Sequence, residues 1–544
     1  MLKRTKIGIV GSSLLLAGYL GAQNAGGQGG QGMQAGGMGA ALQYGESVDP
    51  SKVTHPAPSN SGLGDHKRGT NDPLFFAQEL LGRPTDKSIT VNAGSYKPLE
   101  IYYEYGTKSG TYTGKTAPVQ LPANEPVDVL IDGLKGNTQY FYRMRYREPG
   151  GKEFTARAEH SFYTQRAPGS TFTFTVQFDP HMDERSDEEA YRMSMENMLA
   201  DKPDFMIDVG DNFFVDKLQQ KTAETVEGRV QLLRSYYDIL NHSATLYLGM
   251  GNHEGEKGLT GGGGAAGGGM GAAAGTTTVQ GMSGAGGPAA ASGNQQPLGV
   301  LAALARKRYI PNPSPDGFYT GSSRVEPIVG IREANYAWTW GDATFIMLDP
   351  YWNHPVAPEM SGDWALTLGR EQYEWLKKTL ETSKSKYKFV FLHNLIGGLD
   401  MDGAMRGGVE VAKYLEWGGY NLDNTWGFDK ARPGWAKPIH QLLVENHATI
   451  IFHGHDHTYA KQDLDGIVYQ AGPQPSASST DLGGRDKQYN YLHGTVLGGT
   501  GYIRVRVSPT EVKADYVQTW VPSKQTAEHR NGMVGDTYTI KAAK

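Results

Sequence analysis

Seven side chains that could bind metal ions occur in five short polar segments of the chain. Each segment directly follows an apolar run, and the runs read TFTFTVQF, DFMIDV, TLYLGM, KFVFL and ATIIF. The side chains are those of Asp179, His181, Asp211, Asn252, His393, His455 and His457. The β-branched and aromatic residues of each run predict a buried strand. Ligand sites of open α/β sheets lie beyond the carboxyl ends of strands, so we expect these side chains to meet.

Carboxylate, amide and imidazole groups are the ligands of hard and borderline cations. Seven such groups are too many for one ion and suit two. A carboxylate between two ions roughly 3.5–4 Å apart can bridge them. Such a pair can activate a water molecule and neutralise charge on a phosphoryl group. The chain contains no cysteine, which excludes thiolate ligands and disulfide bonds.

The five segments resemble, in order, the motifs of the calcineurin-like metallophosphoesterase superfamily. They read Asp-x-His at 179–181, Gly-Asp at 210–211, Gly-Asn-His-Glu at 251–254, a lone histidine at 393 and Gly-His-x-His at 454–457. The resemblance implies one ion on Asp179, His181 and His457. It implies a second ion on Asn252, His393 and His455, with Asp211 bridging the two.

The resemblance also implies the chemistry of the site. A hydroxide bound between the two metals that Asp211 bridges would attack phosphorus, and His253 would assist the leaving oxygen without binding a metal. Asn252 is expected to contact substrate as well. From the residues themselves, Arg406 offers a fork of donors for phosphate oxygens. Asp183 and Glu254 are expected to orient ligand histidines from behind.

The identity of the metals is open among Zn, Mn and Fe. Purple acid phosphatases carry a similar N-terminal domain, but the match departs from them at two positions. Those enzymes have glycine where this chain has His181, and a ligand tyrosine after Gly-Asp where this chain reads Asn212-Phe213-Phe214. A fixed ferric ion is therefore not implied.

Residues 84–166 alternate apolar and polar residues in runs separated by Gly, Pro and Asn turns. This pattern predicts a small all-β sandwich. The string DGLKGNTQYFYRMRYREPGGKEF and the later HSFYT resemble a fibronectin type III domain. A spacer or a wall beside the catalytic domain is the expected role of this region.

From residue 170 to 520 the pattern changes to strands alternating with helices. Apolar residues at helical spacing predict helices over 187–200, 223–241, 368–382 and 435–446. The last predicted strands lack helices between them, which indicates two sheets. The predicted fold class is α/β: a two-sheet metallophosphoesterase sandwich flanked by helices and preceded by the fibronectin-like sandwich. Residues 521–544 are predicted to be a C-terminal tail.

Residues 1–22 begin with Lys3 and Arg4 and continue as an apolar stretch that ends in small residues. This is the pattern of a secretory signal peptide, with a retained signal anchor as the alternative. Residues 23–83 are predicted to be a Gly-rich leader and linker. Residues 255–297 are rich in Gly and Ala and predict a disordered insertion in the catalytic domain, since they have few large apolar side chains.

The net charge of −5 provides no basic field for general nucleic-acid binding. The sequence therefore predicts an exported, periplasmic or extracellular, enzyme that hydrolyses a small phosphorylated substrate and keeps no stable membrane anchor after cleavage. A phosphodiesterase or alkaline-phosphatase-like activity is the alternative within this class. A non-catalytic secreted adhesion or scaffold protein is the alternative outside it. The physiological substrate and the oligomeric state stay open.

Overall fold

The structure, a computed structural model, describes residues 55–183, 185–256, 297–353, 364, 367–396, 406–477 and 481–542. All of them belong to one compact unit, Val48–Lys544. The predicted signal peptide lies outside the described residues. No helix in the described ranges has the length and apolar character needed to cross a membrane.

Nine strands form the N-terminal region. They are β1 (Ala77–Gly82), β2 (Ile89–Gly94), β3 (Leu99–Gly106), β4 (Gly114–Lys115), β5 (Val119–Leu121), β6 (Pro126–Ile131), β7 (Gln139–Arg147), β8 (Thr155–Ala156) and β9 (His160–Tyr163). One sheet has the order β1-β2-β6, and the other is built on β3 and β7. Inward residues such as Val91, Ile101 and Tyr142 share one core, so the strands form a β-sandwich. Its fibronectin type III character stays a prediction.

The sandwich begins earlier than the predicted boundary at residue 84. Strand β1 pairs with β2 in antiparallel register, and its residues are almost all buried. The described part of the predicted linker, from residue 55, also makes specific contacts. For example, Gly69 donates its backbone N–H to Ser235 Oγ at 2.8 Å. The described residues that precede the sandwich are therefore packed against the rest of the protein.

The next segment alternates strands and helices as predicted. Its elements are β10 (Phe172–Gln177), α1 (Glu188–Ala200), β11 (Phe205–Asp208), α2 (Ala223–Tyr237), β12 (Thr245–Leu248) and α3 (Leu298–Tyr309). The side chain of Asp187 caps α1 by accepting the N–H of Ala190, and Thr222 forms a capping box at the start of α2. Strands β10, β11 and β12 run parallel, so their carboxyl ends lie at one edge.

The remainder of the chain supplies a second sheet and completes the first. Its elements are β13 (Thr320–Gly321), β14 (Val325–Glu326), β15 (Gly330–Ile331), β16 (Tyr336–Trp340), β17 (Ala343–Met347), α4 (Arg370–Thr382), β18 (Tyr387–Phe391), α5 (Leu415–Gly418), α6 (Phe428–Ala431), α7 (Ile439–Glu445), β19 (Ile450–His453), β20 (Tyr459–Leu464), β21 (Ile467–Ala471), α8 (Arg485–Gln488), β22 (Thr495–Leu497), β23 (Gly501–Val507), β24 (Glu511–Gln518) and β25 (Val534–Lys541).

Two large sheets pack face to face. One has the order β12-β11-β10-β23-β24-β25, and the other β13-β16-β17-β18-β19-β21-β20-β22. Aromatic side chains from both sheets fill the space between them; Phe174 of the first sheet, for example, packs edge-on against Phe345 of the second, with ring centroids 5.3 Å apart. Helices α1, α2 and α3 contribute to the core on the other side of the first sheet, and α4, α5 and α7 to that of the second. The predicted two-sheet sandwich flanked by helices is confirmed.

The predicted C-terminal tail contains an ordered strand. Strand β25 pairs with β24 from Glu511↔Lys541 to Val517↔Val534 and forms the edge of the first sheet. Its side chains alternate between exposed and half-buried, as expected for an edge strand with one solvated face. The catalytic domain therefore continues past the predicted boundary at residue 520.

Both ends of the predicted Gly/Ala insertion are packed into the fold, while its residues 257–296 lie outside the described residues. A Cβ added at Gly255 would come within 3.0 Å of the Leu298 side chain, so the two ends of the segment lie close together. Glu256 is buried and accepts hydrogen bonds from Arg306 of α3 at 2.7 and 3.1 Å. Residues 255 and 256 of the predicted insertion are therefore part of the packed structure.

A pair of histidines joins the sandwich to the catalytic domain. The rings of His160, in β9, and His242, after α2, lie 4.0 Å apart. Burial and then the Arg157 charge lower the pKa of His160 to about 4. Burial and the His160 ring lower the pKa of His242 to about 4. The carboxylates of Glu159 and Glu79 oppose these shifts but are outweighed.

We expect acid to weaken this contact. The folded-state pKa lies below the ordinary value of about 6.5, so the unfolded chain binds more protons between these values, and stability is lost as pH falls from 6.5 towards 4. Between pH 7.5 and 5 the wild type should lose about 2 kcal/mol more unfolding free energy than His242→Gln. Urea unfolding of both proteins at the two pH values measures this difference. Equal losses would contradict the prediction.

Candidate metal centre

The loops that follow β10, β11, β12, β18 and β19 converge at one end of the two sheets. They carry, respectively, Asp179 and His181, Asp211, Asn252 to Glu254, His393, and His455 and His457. The strands are parallel within each group, so these loops leave the same edge of their sheet. Because the two sheets pack face to face, the two groups of loops meet. All seven predicted ligands are placed in this region.

Asp179, His181 and His457 form the first group of ligand atoms, all within 4.8 Å of one another. Asp179 Oδ1 lies 3.7 Å from His181 Nε2 and 3.6 Å from His457 Nε2. These separations leave room for an ion in contact with each atom. The group is the same as the first predicted ligand set.

Asp211, His393 and His455 form the second group. Asp211 Oδ2 lies 3.1 Å from His393 Nε2. Asn252 Oδ1 lies 3.1 Å from the same nitrogen, which adds the amide oxygen expected from the sequence. The second predicted ligand set is therefore also assembled.

Asp211 lies between the two groups. Its Oδ2 is 3.2 Å from His181 Nε2 on one side and 3.1 Å from His393 Nε2 on the other. Its Oδ1 accepts the backbone N–H of His253 at 2.8 Å. One carboxylate oxygen is thus in reach of both groups, which is the position that a bridging ligand requires.

The chemistry of the donor set fits divalent cations. Two buried carboxylates and four imidazoles face one another, and within the described residues the buried His455 Nε2 has no hydrogen-bond partner. A buried polar atom without a partner is costly, and coordination by a cation would compensate it. Oxygen and nitrogen donors without thiolates suit Zn, Mn or Fe.

Burial and neighbouring charges hold His455, His457 and Asp211 in the forms that bind a cation. Burial lowers the pKa of His455 well below its ordinary value, and burial with the His181 charge lowers the pKa of His457 to about 3. Burial opposes ionisation of Asp211, but His393 and His253 outweigh it and hold the pKa of this carboxyl well below its usual range. Neutral imidazoles and ionised carboxylates are the forms that bind metals.

Hydrogen bonds fix the orientation of His393 and of the loop that carries His455. His393 Nδ1 donates to the Val209 carbonyl at 3.1 Å, so its Nε2 faces into the site. Burial lowers the pKa of His393, but Asp211 and Asp179 outweigh burial and raise it to about 9. The backbone N–H of His455 donates to both oxygens of Asp179 at 2.9 Å. The ligands thus hold one another in place.

Five of the seven predicted ligands have positive backbone φ angles. The values are +51° for Asp179, +50° for His181, +57° for Asp211, +72° for His455 and +51° for His457. Non-glycine residues adopt this region at a cost, and such strain concentrates at functional sites where the surroundings enforce it. The packing of the loops therefore stabilises the ligand geometry at the expense of local backbone energy.

Glu254 holds the loops rather than a histidine. Its buried carboxylate accepts the backbone N–H of Asp211 at 3.0 Å and also those of Gly251 and Asn212. Asp183, by contrast, lies beside a predicted ligand, with Oδ2 at 3.9 Å from His181 Nδ1. Both acids lie next to the ligand loops, but the contacts of Glu254 are to backbone and not to a ligand histidine.

His253 lies at the rim of the site, with its side chain 16% exposed. Its Nδ1 lies 2.8 Å from Asp216 Oδ1, and its Nε2 lies 3.9 Å from Asp211 Oδ2. The Phe214 ring packs against both His253 and His181, with centroid distances of 4.4 and 4.9 Å. Sequence reasoning missed Asp216, whose only signal is an acidic residue five positions after Asp211.

Arg406 lies next to the site but is already engaged by protein groups. Its Nη1 donates to the His455 carbonyl at 2.7 Å and to Asp456 Oδ1 at 3.2 Å. The guanidinium also lies 4.6 Å from the centre of the Tyr489 ring. These contacts fix the side chain beside the second ligand group, and its contact with substrate stays a prediction.

The calcineurin-like phosphoesterase family model matches residues 179–459, which include all five ligand loops. Among solved structures, one titled "Structure of PhoD" has a TM-score of 0.59 at 15% identity, covering 87% of this chain and 91% of that chain. This likeness concerns the fold. The Plasmodium protein GAP50, "the anchor in the inner membrane complex", has a TM-score of 0.36 at 12% identity, covering 69% of this chain and 90% of that one. No curated protein sequence matches the chain.

The family match spans more than half of the chain and the ligand loops assemble as its motifs require, so the chain belongs to the calcineurin-like phosphoesterase family.

Proposed function

We propose that the protein is an exported phosphoesterase that uses two metal ions to hydrolyse a small phosphorylated substrate. The observation that carries the proposal is the pair of ligand groups that share Asp211, with its Oδ2 within 3.2 Å of histidines from both. Asp179, His181 and His457 would hold one ion. Asn252, His393 and His455 would hold the other, and Asp211 would serve both.

Two bound ions supply a water of lowered pKa and neutralise charge on the phosphoryl group. The chain's own residues do the remaining work. Burial of Asp179 and Asp211 keeps bulk water from the ligand atoms, which strengthens every charge interaction at the site. Arg406, held beside His455, contributes positive charge next to the phosphoryl position.

His253 is the proposed general acid for the leaving oxygen. Asp216 accepts the Nδ1 proton of His253 at 2.8 Å, so the other ring nitrogen, Nε2, is directed towards the region of Asp211. A protonated histidine can donate the proton on Nε2 to a leaving oxygen. A carboxylate at Nδ1 orients the ring and stabilises its positive charge before the transfer. We infer that Asp216 positions His253 for this step.

An assay of phosphomonoesters, phosphodiesters and nucleotides with Mn, Zn and Fe tested separately examines the proposal. We expect turnover of at least one class, dependent on added metal and abolished by a chelator. A preference for diesters would instead indicate the alternative, a phosphodiesterase activity. Metal binding without turnover of any of these esters would favour the non-catalytic scaffold.

Export is the second part of the proposal and rests on the basic start and apolar stretch of residues 1–22. We expect the mature protein to begin near Gln23 and to be recovered outside the cytoplasm without detergent. N-terminal sequencing of the native protein gives the answer. Membrane-bound protein that retains Met1 would instead support the signal anchor.

A further inference from the structure

His253 has the surroundings of a metal ligand, although the proposed reaction uses it as an acid. It forms with His181 and Asp211 a group whose ligand atoms all lie within 4.8 Å of one another. Its Nδ1 lies 2.8 Å from Asp216 Oδ1. Histidines that bind metals commonly have a carboxylate on the second ring nitrogen. Another contact must therefore keep His253 from binding an ion.

The distance from His253 to Asp211 places this histidine just outside the ligand groups. Two ligand atoms on one ion are about 3–3.6 Å apart, since each bond to the ion is roughly 2.0–2.2 Å long. Asp211 Oδ2 meets this range with His181 Nε2 at 3.2 Å and with His393 Nε2 at 3.1 Å. His253 Nε2 is 3.9 Å from the same oxygen. A shift of less than about 1 Å would therefore bring His253 into the ligand set.

The ring of Phe214 packs against both histidines on this side of the site. Its centroid lies 4.4 Å from that of His253 and 4.9 Å from that of His181, and the two imidazoles lie 5.2 Å apart. Packed aromatic rings have centroids roughly 4.5–7 Å apart, so each of the three rings is in contact with the other two. His253 would have to displace the Phe214 ring in order to turn or to approach His181.

The backbone holds Phe214 in this place at a cost. Its φ of +54° and ψ of +33° lie in the left-handed region, which is unfavourable for a bulky side chain. The next residue, Val215, donates its backbone N–H to the His253 carbonyl at 3.0 Å. Asp216 then reaches the imidazole itself. Three consecutive residues thus contact His253, and strain of this kind persists where the surroundings enforce it.

We propose that Phe214 is a positioning residue that keeps His253 out of the metal ligand set and so leaves its Nε2 free for the leaving oxygen. The inference rests on the proposed function, because it explains how a histidine beside two ions remains an acid. Asp216 orients the His253 ring, and Phe214 sets how far that ring stands from Asp211 and His181. Without the Phe214 side chain, we expect His253 to join His181 as a ligand.

Metal affinity is the deciding measurement, and it does not depend on turnover. Competition with a chelator should show that Phe214→Ala binds one of its two Zn ions at least about tenfold more tightly, which is the smallest usual effect of an outer partner of a metal ligand. The gain should disappear when Phe214→Ala is combined with His253→Ala. Phe214→Gly gives the same test if Phe214→Ala fails to fold, because glycine adopts left-handed φ without strain.

Two further variants separate this effect from a general disturbance of the loop. Phe213, the neighbouring residue, is 2% exposed and belongs to the hydrophobic core beside α1 and α2. Phe213→Leu should therefore change stability and leave the Zn affinity as in the wild type. Phe214→Leu keeps an apolar side chain beside the imidazole and should restore most of the wild-type affinity.

Turnover gives a second readout. Phenyl phosphate and 4-nitrophenyl phosphate have leaving groups with the same ring, so a lost ring contact affects both, but phenolate depends more on a proton. Phe214→Ala should lose about tenfold more in kcat on phenyl phosphate than on 4-nitrophenyl phosphate. In the His253→Ala background the same change should cause no further unequal loss, because Phe214 acts through His253.

The Zn measurements decide the role of Phe214 whatever the kinetics show. Unchanged or weaker Zn binding in Phe214→Ala and Phe214→Gly would overturn the proposal, and so would a gain in affinity that persists without His253. If the wild type turns over no ester with any metal, the proposed function fails. Zn binding by the same variants then still shows whether Phe214 keeps His253 from the metals.

Discussion

Replacing Asp211 by asparagine should weaken both metal sites together. Its Oδ2 lies 3.2 Å from His181 Nε2 and 3.1 Å from His393 Nε2, so one oxygen belongs to both ligand groups. The amide has nearly the same shape but lacks the negative charge that offsets two cations. We expect metal content to fall from about two ions per chain to well below one, with a loss of at least roughly 100-fold in turnover.

Elemental analysis of purified protein and titration with Mn and Zn measure the effect. Asp208→Asn is the matched control, since Asp208 lies three residues earlier, hydrogen-bonds Gln177 and Tyr237, and belongs to neither ligand group. Burial raises the pKa of Asp208 to about 7, so a neutral amide there removes less negative charge than the same change at Asp211. The control should keep both ions. A single tightly bound ion that persists in Asp211→Asn would exclude the two-metal site.

The ligand set was predictable because each ligand ends a strand. An apolar run and the polar residue after it are local in the sequence, and parallel strands bring such positions to one edge. The backbone conformation was not predictable in the same way. Positive φ at Asp179 or His455 depends on contacts such as the Asp179 carboxylate on the His455 N–H, between residues far apart in the chain.

Sequence analysis did not predict the elements whose structure depends on contacts with other parts of the chain rather than on their own residue pattern. Helix α3, Leu298–Tyr309, is apolar on nearly all sides and buried, so it lacks the polar face by which a surface helix is recognised. Strand β25 is mostly polar and becomes a strand by pairing with β24. Arg406 was expected to contact phosphate, and its neighbours in the sequence gave no sign that Asp456 and the His455 carbonyl also engage its guanidinium.

The role of His253 is the least visible in the sequence, because histidine can bind metal or transfer a proton. Two distances distinguish it from the ligands. Its Nδ1 is engaged by Asp216 at 2.8 Å, and its Nε2 is 3.9 Å from the nearest Asp211 oxygen, against 3.1 Å for His393. It also lies with His181 and Asp211 in a third group that could hold a metal. Geometry alone thus favours an acid, and kinetics can decide.

Asp216→Asn tests whether Asp216 acts through His253. The amide oxygen can still accept a hydrogen bond from His253 Nδ1, but it lacks the negative charge that stabilises a protonated ring. If Asp216 positions and charges His253, the variant should retain both ions, and the alkaline limb of its pH profile, where the general acid loses its proton, should move to lower pH. A purely structural role would change stability and leave the pH profile in place.

His253→Ala should keep both ions and lose roughly 10²–10⁴ in turnover of an alkyl phosphate, which is the usual contribution of one positioned acid. The loss should be much smaller for a nitrophenyl phosphate, because a leaving group of low pKa departs without a proton. Steady-state kinetics on both esters, with metal content measured on the same samples, gives the comparison. Equal losses on the two esters with both metals retained would mean that His253 stabilises phosphoryl charge. Loss of an ion would make it a ligand, as its place beside His181 and Asp211 permits. Only the unequal loss, with metals intact, assigns proton transfer to the His253 ring that Asp216 orients.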